Sequence, residues 1–325
     1  MNNSNEHNQI GIIGAGLIGR AWAVVFARAG FKVRLYDMST QALHACKNSI
    51  LASLADLDTY GLLKETPDQI MFRISLASTL EEAVGSASLV QENVRETLEA
   101  KVELFAELDL LVPAGVPIAS STSWIPSSRF TEGLVHRDRC LVGHPINPPH
   151  VVPLVEVCPA PWTSKEAISR AQEIYRAAGQ SPVLLRKEID GFLVNRVQGA
   201  VLNEMMSLHE QGYASVSDLD AVMRDGLGMR WAFMGPFETI DLNAPAGLLD
   251  YADRFGQTYK RVTLESKPFD WDAAAVGAIE AERRQQMPLS EIQSRSAWRD
   301  RCLMQLVAQK RKFVTDGEAD IAAAP

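Results

Sequence analysis

The chain has little cysteine and uses none of it in a pattern. Four cysteines, Cys46, Cys140, Cys158 and Cys302, are scattered over 325 residues. None forms a C-x-x-C pair or stands at a zinc-type spacing from histidine, which excludes a disulfide framework and the usual structural zinc sites. Thiols of this kind suit a reducing cytoplasm, and Cys158 reads as buried and inert. No apolar run approaches the roughly 18 residues that a membrane span needs. The opening MNNSNEHNQ is polar and has no apolar centre, so it reads as a frayed tail and not as a signal peptide. Positive charge is short as well: 32 Lys and Arg face 40 Asp and Glu, a net −8. That balance argues against nucleic acid or an anionic membrane as a partner. There is no internal repeat, and no low-complexity tract beyond the closing AAAP.

What is present is an ordinary globular composition, 46% hydrophobic and 22% charged. The length exceeds one usual core, so two domains are expected. IGII (10–13), KVRLYD (32–37), ASLVQE (87–92), VPIASS (116–121), CLVGHP (140–145), VPLVEV (152–157) and SPVLLR (181–186) read as strands. Helical stretches alternate with them: 16–29 with apolar residues on one face, 40–63, 97–111 and 165–178. Such alternation predicts an α/β fold, a mostly parallel Rossmann-type sheet with helices on both faces. Beyond Glu188 only helical patterns follow, the first two being 191–213 and a segment capped by Ser215 or Ser217. The expected division is a nucleotide-binding domain over 1–187 and an all-helical substrate and dimerisation domain over 188–325.

GAGLIG (14–19) follows the first strand and opens a helix, and Asp37 closes the next strand. In that context G-x-G-x-x-G is a dinucleotide fingerprint. Gly14 permits the turn, Gly16 lets the backbone approach a pyrophosphate, and Gly19 lets helix and strand pack; Leu17 and Ile18 lie between them. Asp37 would accept the adenosine ribose hydroxyls and repel a 2′-phosphate. No arginine follows it, so the expected cofactor is NAD and not NADP.

The segment LVGHPINPPHVVPLVEV carries His144 and Glu156 in apolar, proline-rich surroundings. His144 falls at the carboxyl end of a strand, where such sheets bind ligands, facing the cleft expected between the two domains. An NAD oxidoreductase needs a base for the hydroxyl proton as hydride leaves, and imidazole suits that task. Glu156 on the neighbouring strand would fix its tautomer. The same two residues also fit a purely structural buried pair.

The segments IGRAWAVVFARAGFKVRLYD, SSTSWIPS, GHPINPPHVVPLVEV, GFLVNRVQ, SDLDAVM, GLGMRWAFMGPFET and WRDRCLM resemble the L-3-hydroxyacyl-CoA dehydrogenase superfamily over nearly the whole chain. The last two are most similar to its lambda-crystallin branch, the L-gulonate 3-dehydrogenases. The resemblance implies His144 as general acid/base with Glu156 as its partner. It implies Ser123 and Asn195 as hydrogen-bond donors to the substrate oxygen, and Asn147, Glu96 and Lys101 near the nicotinamide and its ribose. Read without it, Ser123 is a turn cap, Asn195 a buried polar group, and Glu96 with Lys101 a solvated face. His7, His44, His136 and His209 carry no signal, whereas His150, in NPPH, stays open.

The superfamily leaves the substrate to be decided. Its acyl-CoA members resemble one another in a lysine-rich stretch after the second strand. Here 41–73 holds Lys47, Lys64 and Arg73 against Asp56, Asp58, Glu65 and Asp68, a poor funnel for a polyphosphate. Arg230, in a loop before MGPFE, would bind a substrate carboxylate; alternatively it pairs with Asp225 or solvent. The expectation is an NAD-dependent dehydrogenase of a small 3-hydroxy acid, L-gulonate-like, yielding a 3-oxo acid. Carnitine, 3-hydroxybutyrate or a 3-hydroxyacyl-CoA are the alternative substrates, and an NAD-binding structural protein is the non-enzymatic one. A homodimer is expected through the apolar helices 191–213 and 217–226.

Overall fold

The computed structural model describes residues 8–322, so His7, the residues before it and the last three residues lie outside the description. Of the opening stretch read as a tail, Gln9 already belongs to the first strand. Eight strands form one sheet: β1 (Gln9–Ile13), β2 (Lys32–Tyr36), β3 (Ile74–Leu76), β4 (Leu89–Glu92), β5 (Ile118–Ser120), β6 (Cys140–Pro145), β7 (Leu154–Pro159) and β8 (Ser181–Leu184). Their order is β3-β2-β1-β4-β5-β6-β7-β8. The first six run parallel, β7 runs antiparallel to β6, and β8 is parallel to β7. The strand order reverses between β1 and β4, the switch point at which sheets of this kind open a ligand crevice.

β4, β5 and β6 are buried along their whole length, as strands covered on both faces must be. The helix Leu17–Arg28 departs from the one-sided pattern expected of it: Ala21 through Ala27 are all buried. Trp22 stacks on Phe26 with centroids 5.3 Å apart and tilts against Tyr175 at 5.5 Å, so aromatic neighbours enclose the helix instead of solvent. Ser39, Thr97 and Ser164 cap the helices Thr40–Thr59, Leu98–Leu111 and Lys165–Ala177, each accepting a backbone N–H three residues on. β3 was not anticipated. It is an edge strand of three residues, too short to show alternation.

The chain forms two compact units, divided differently from the expected 187/188 boundary. The first runs to Asn195 and takes in the chain from Trp298 onward; the second is Arg196–Ala297. The last helix, Ile292–Ala322, therefore serves both units along its length. Its Met304 is buried in the first unit's core, with Leu303, Val307 and Ala308 packed against it. The second unit is helical among the described residues, and Ser215 is the N-cap of its segment Val216–Ala221. That segment passes into one π-helical stretch, Val222–Leu227, before Gly228–Trp231.

Candidate active site

The glycine loop is shaped by contacts that exclude side chains. Gly14 has φ +96°, and a Cβ there would stand 2.6 Å from the Asn93 carbonyl oxygen. A Cβ on Gly19 would stand 1.8 Å from the Gly14 carbonyl oxygen. Gly16 differs: an added Cβ meets nothing within 4 Å. Gly16 is also the N-cap of the helix Leu17–Arg28, without a side-chain cap bond. Open space before uncapped helix N–H groups fits a pyrophosphate. Leu17 is half exposed there, while Ile18 packs on the core. Asp37 follows β2 and is tied to the loop: Ala15 N donates to Oδ2 at 2.7 Å and Ser39 N to Oδ1 at 2.8 Å.

β6 and β7 bring His144 and Glu156 directly opposite each other. On neighbouring antiparallel strands such residues share one face. His144 Nδ1 lies 2.8 Å from Glu156 Oε2, and both side chains are buried. The other carboxylate oxygen, Oε1, accepts from Leu193 N at 2.7 Å and Val194 N at 3.0 Å. These N–H groups open the helix Val194–Glu210, so the carboxylate also sits at a positive helix end. The preceding turn is made by Gly191 (φ 74°) and Phe192 (φ 49°), where a continuous helix was expected. It delivers the buried Phe192 ring to 5.5 Å from the imidazole. With Nδ1 engaged, Nε2 is the nitrogen left for chemistry.

Asn195 Nδ2 donates to the Ser123 carbonyl at 2.8 Å. The turn carrying Ser123 is held from below by Glu96. Its Oε1 accepts from Thr122 Oγ1, from Ser123 N at 3.0 Å and from Trp124 N at 3.3 Å. Lys101 is buried, not on a solvated face, and pairs with Glu92 at 3.0 Å and Glu96 at 3.4 Å. Asn147 is exposed on the loop after β6. His150 is buried and its carbonyl accepts from Arg28 Nη1 at 2.6 Å, but Nδ1 has no partner. Burial, reinforced by the Arg28 charge, lowers this imidazole to about 4. Burial likewise pushes the Cys140 and Cys158 thiols up to about 12, so both are inert.

Arg230 lies in the second unit, in the helix Gly228–Trp231 and not in a loop. Asp225 is engaged by Arg224 at 2.8 and 2.5 Å. Arg230 is exposed and forms no ion pair with Asp225 or any other described residue.

The family model described as 3-hydroxyacyl-CoA dehydrogenase, NAD binding domain, matches residues 9–189, and that of the C-terminal domain matches 191–284. The chain belongs to the 3-hydroxyacyl-CoA dehydrogenase family. It is an oxidoreductase acting on CH–OH groups with NAD as cofactor. It is 41% identical to rabbit (Oryctolagus cuniculus) lambda-crystallin, over 93% of this chain and 96% of that one. It is 36% identical to L-carnitine dehydrogenase of Streptomyces griseus subsp. griseus, over 84% of this chain and 82% of that one. Among solved structures it resembles 5-formyl-3-hydroxy-2-methylpyridine 4-carboxylic acid 5-dehydrogenase, described as an NAD+-dependent dismutase. The TM-score is 0.79 at 26% identity, covering 94% of this chain and 98% of that one.

Two groups of buried residues in this dehydrogenase escape a reading of the sequence. One is Glu92, an acid closing a fully buried strand nine residues before Lys101; that placement was the available signal. The other is a polar network across β4, β5 and β6. Gln91 Nε2 donates to the Gly143 carbonyl at 3.1 Å and to Ser121 Oγ at 2.8 Å, while its Oε1 accepts from Tyr175 OH at 2.6 Å. Tyr175 OH stands 2.0 Å from where a Cβ on Gly143 would be. Gly143 immediately precedes His144, so the network grips the strand at the imidazole.

Proposed function

We propose that this dehydrogenase oxidises the hydroxyl of a small 3-hydroxy acid with a free carboxylate, an L-gulonate-like sugar acid giving the 3-oxo acid. The His144–Glu156 pair at 2.8 Å carries the proposal. The Nδ1–H donated to Glu156 leaves the Nε2 lone pair to take the hydroxyl proton. The imidazolium so formed faces a carboxylate that two backbone N–H groups keep in place. NAD, when bound, supplies the hydride acceptor for the carbinol carbon. The Ser123 hydroxyl and the second N–H of the Asn195 amide donate to the substrate oxygen as its negative charge grows. Gly14, Gly16, Gly19 and Asp37 hold the adenosine and pyrophosphate half, with Leu17 and Ile18 in the loop. Glu96, Lys101 and Asn147 serve the nicotinamide half.

Arg230 binds the substrate carboxylate in this reading. Its lack of an ion pair among the described residues favours that role, and so does the net negative stretch 41–73, which is ill suited to coenzyme A. The carnitine dehydrogenase relative acts on another 3-hydroxy acid with a free carboxylate, so carnitine is the second substrate to try. The intact His144, Glu156, Ser123 and Asn195 set speaks against a purely structural NAD-binding protein. We further place the protein in the cytoplasm, where its unpaired thiols stay reduced, and as a homodimer. The helix Val194–Glu210, within the 191–213 stretch, buries only Ser207, and a second copy would cover its apolar face.

The test is NADH formation with 3-hydroxy acids, carnitine and 3-hydroxybutyryl-CoA. Arg230→Met should raise KM for the acid by a factor that corresponds to about 2–5 kcal/mol, leave NADH affinity unchanged, and spare the methyl ester. Preference of the unaltered enzyme for the CoA thioester, or an indifferent Arg230→Met, would return the chain to acyl-CoA chemistry.

A further inference from the structure

At the carboxyl end of β4 lies a charged cluster that the proton transfer does not use. Glu92, the last residue of β4, is fully buried. Its Oε1 accepts from Lys101 Nζ at 3.1 Å and Val94 N at 2.6 Å. Its Oε2 accepts from Lys101 Nζ at 3.0 Å and from Ser120 Oγ. Every neighbour is a donor, the pattern of an ionised carboxylate. The Lys101 ammonium is buried with it, and Glu96 Oε2 lies 3.4 Å from the same nitrogen. Two carboxylates thus share one ammonium. Glu92 engages Lys101 from inside the sheet, and Glu96, 40% exposed, is left as the outward charge. Arg95 and Glu99 are exposed and carry opposite charges, which solvent screens. Glu92, Lys101 and Glu96 together sum to net −1.

A buried ion pair is complete with one partner of each sign; Glu96, whose Oε1 holds the turn at Ser123, adds a second carboxylate whose charge the one ammonium does not neutralise. The glycine loop after β1 and Asp37 after β2 occupy the first half of the sheet. The ends of β4, β5 and β6 carry Glu92, Ser120 and, near its end, His144. In a doubly wound sheet that second half takes the other mononucleotide, here the nicotinamide. The nicotinamide ring is a cation when oxidised and neutral when reduced. A fixed negative cluster beside it favours the oxidised form.

We propose that Glu92, Lys101 and Glu96 together set the preference for oxidised over reduced cofactor. Glu92 is a positioning residue that holds the lysine charge inside the sheet, so that Glu96 presents the excess negative charge. The proposal rests on the reading that places His144 at the reacting alcohol, since that reading puts the ring at these strand ends.

The test measures binding, not turnover. NAD+, NADH and ADP-ribose, which lacks the ring, are titrated calorimetrically into the full-length protein. Glu96→Gln removes the outward charge and should lower the Kd ratio of NADH to NAD+ roughly three- to tenfold, the order expected for one charge across a partly solvated site. ADP-ribose binding should change no more than NADH binding, since both keep the ribose and neither carries the ring charge. Glu92→Gln should move the ratio the same way. The double variant Glu92→Gln with Lys101→Met keeps net −1, so its ratio should stay near that of the unaltered protein even if both affinities fall. If Glu92→Gln alone does not fold, Glu96→Gln decides the matter. An unchanged ratio in Glu96→Gln, or equal weakening of all three ligands, overturns the proposal and leaves a structural cluster. The two readings fail separately: a normal ratio shift beside an active His144→Ala would indict the base, whereas a fixed ratio beside a slow His144→Ala would indict the cluster.

Discussion

Glu156→Gln puts the proposed base and its support on trial together. The carboxylate accepts three hydrogen bonds, one from His144 and two from the start of the helix Val194–Glu210. An amide has one oxygen and cannot serve both sides. If that oxygen stays with Leu193 N and Val194 N, the NH2 group faces His144 Nδ1. The ring must then offer Nδ1 as acceptor and carry its proton on Nε2, the tautomer that cannot accept a proton from substrate. Wrong-tautomer and lost-base effects in comparable sites run to about 10²–10⁴-fold in kcat. If the amide turns over, two backbone donors lose a charged acceptor, at about 1–3 kcal/mol for each group left unsatisfied. The helix start also loses a negative charge, worth about 0.3–1 kcal/mol. The turned-over state is therefore the costlier one, and the expected outcome is a slow enzyme that still folds and still binds NADH. Stopped-flow NADH absorbance gives kcat, calorimetry gives cofactor affinity, and thermal unfolding gives stability. Near-normal turnover in Glu156→Gln would show that the pair is structural and that the proton leaves by another route.

Asp37→Ala should weaken NAD and narrow its preference over NADP, read as the ratio of kcat/KM values, because the 2′-phosphate no longer meets a carboxylate; equal use of both cofactors by the unaltered protein would undo this reading. His150 predicts acid sensitivity. The unfolded chain protonates it as pH falls through about 6.5, the folded chain only near 4, so stability conferred by the neutral ring is complete above the upper value and fades below it. At pH 5 this amounts to about 2 kcal/mol. His150→Gln should flatten the dependence of the urea midpoint between pH 7 and 5, and an equally steep profile in the variant would assign the sensitivity elsewhere.

What could be read in the chain, and what could not, follows from the range of each interaction. The glycine loop and Asp37 were legible because strand, turn, helix and acid lie close together in sequence. The facing of His144 and Glu156 was legible for a related reason: two short apolar runs joined by a proline-rich loop must lie side by side, and period-two alternation then decides which residues share a face. β3 was hidden because ISL is too brief to alternate. The last helix sets Leu303, Met304, Val307 and Ala308 on one face, but periodicity does not reveal which core receives them, and that is why the division of units moved. Arg230 looked loop-borne because the π-helical stretch Val222–Leu227 breaks the 3.6 period just before it. Gln91 and Tyr175 were invisible as a pair because 84 residues separate them. Each alone reads as an ordinary core residue.

The Tyr175 hydroxyl standing where Gly143 would place a Cβ restricts how this enzyme can change over time. Any single substitution at Gly143 collides with the phenol, and any single loss of the phenol strands the buried Gln91 oxygen. The strand next to His144 is thus open to remodelling only through paired changes, with Tyr175 yielding before Gly143. New substrates are more readily reached from a position without such a lock, such as the exposed Trp124. A library aimed at altered specificity should diversify that position and leave the glycine alone.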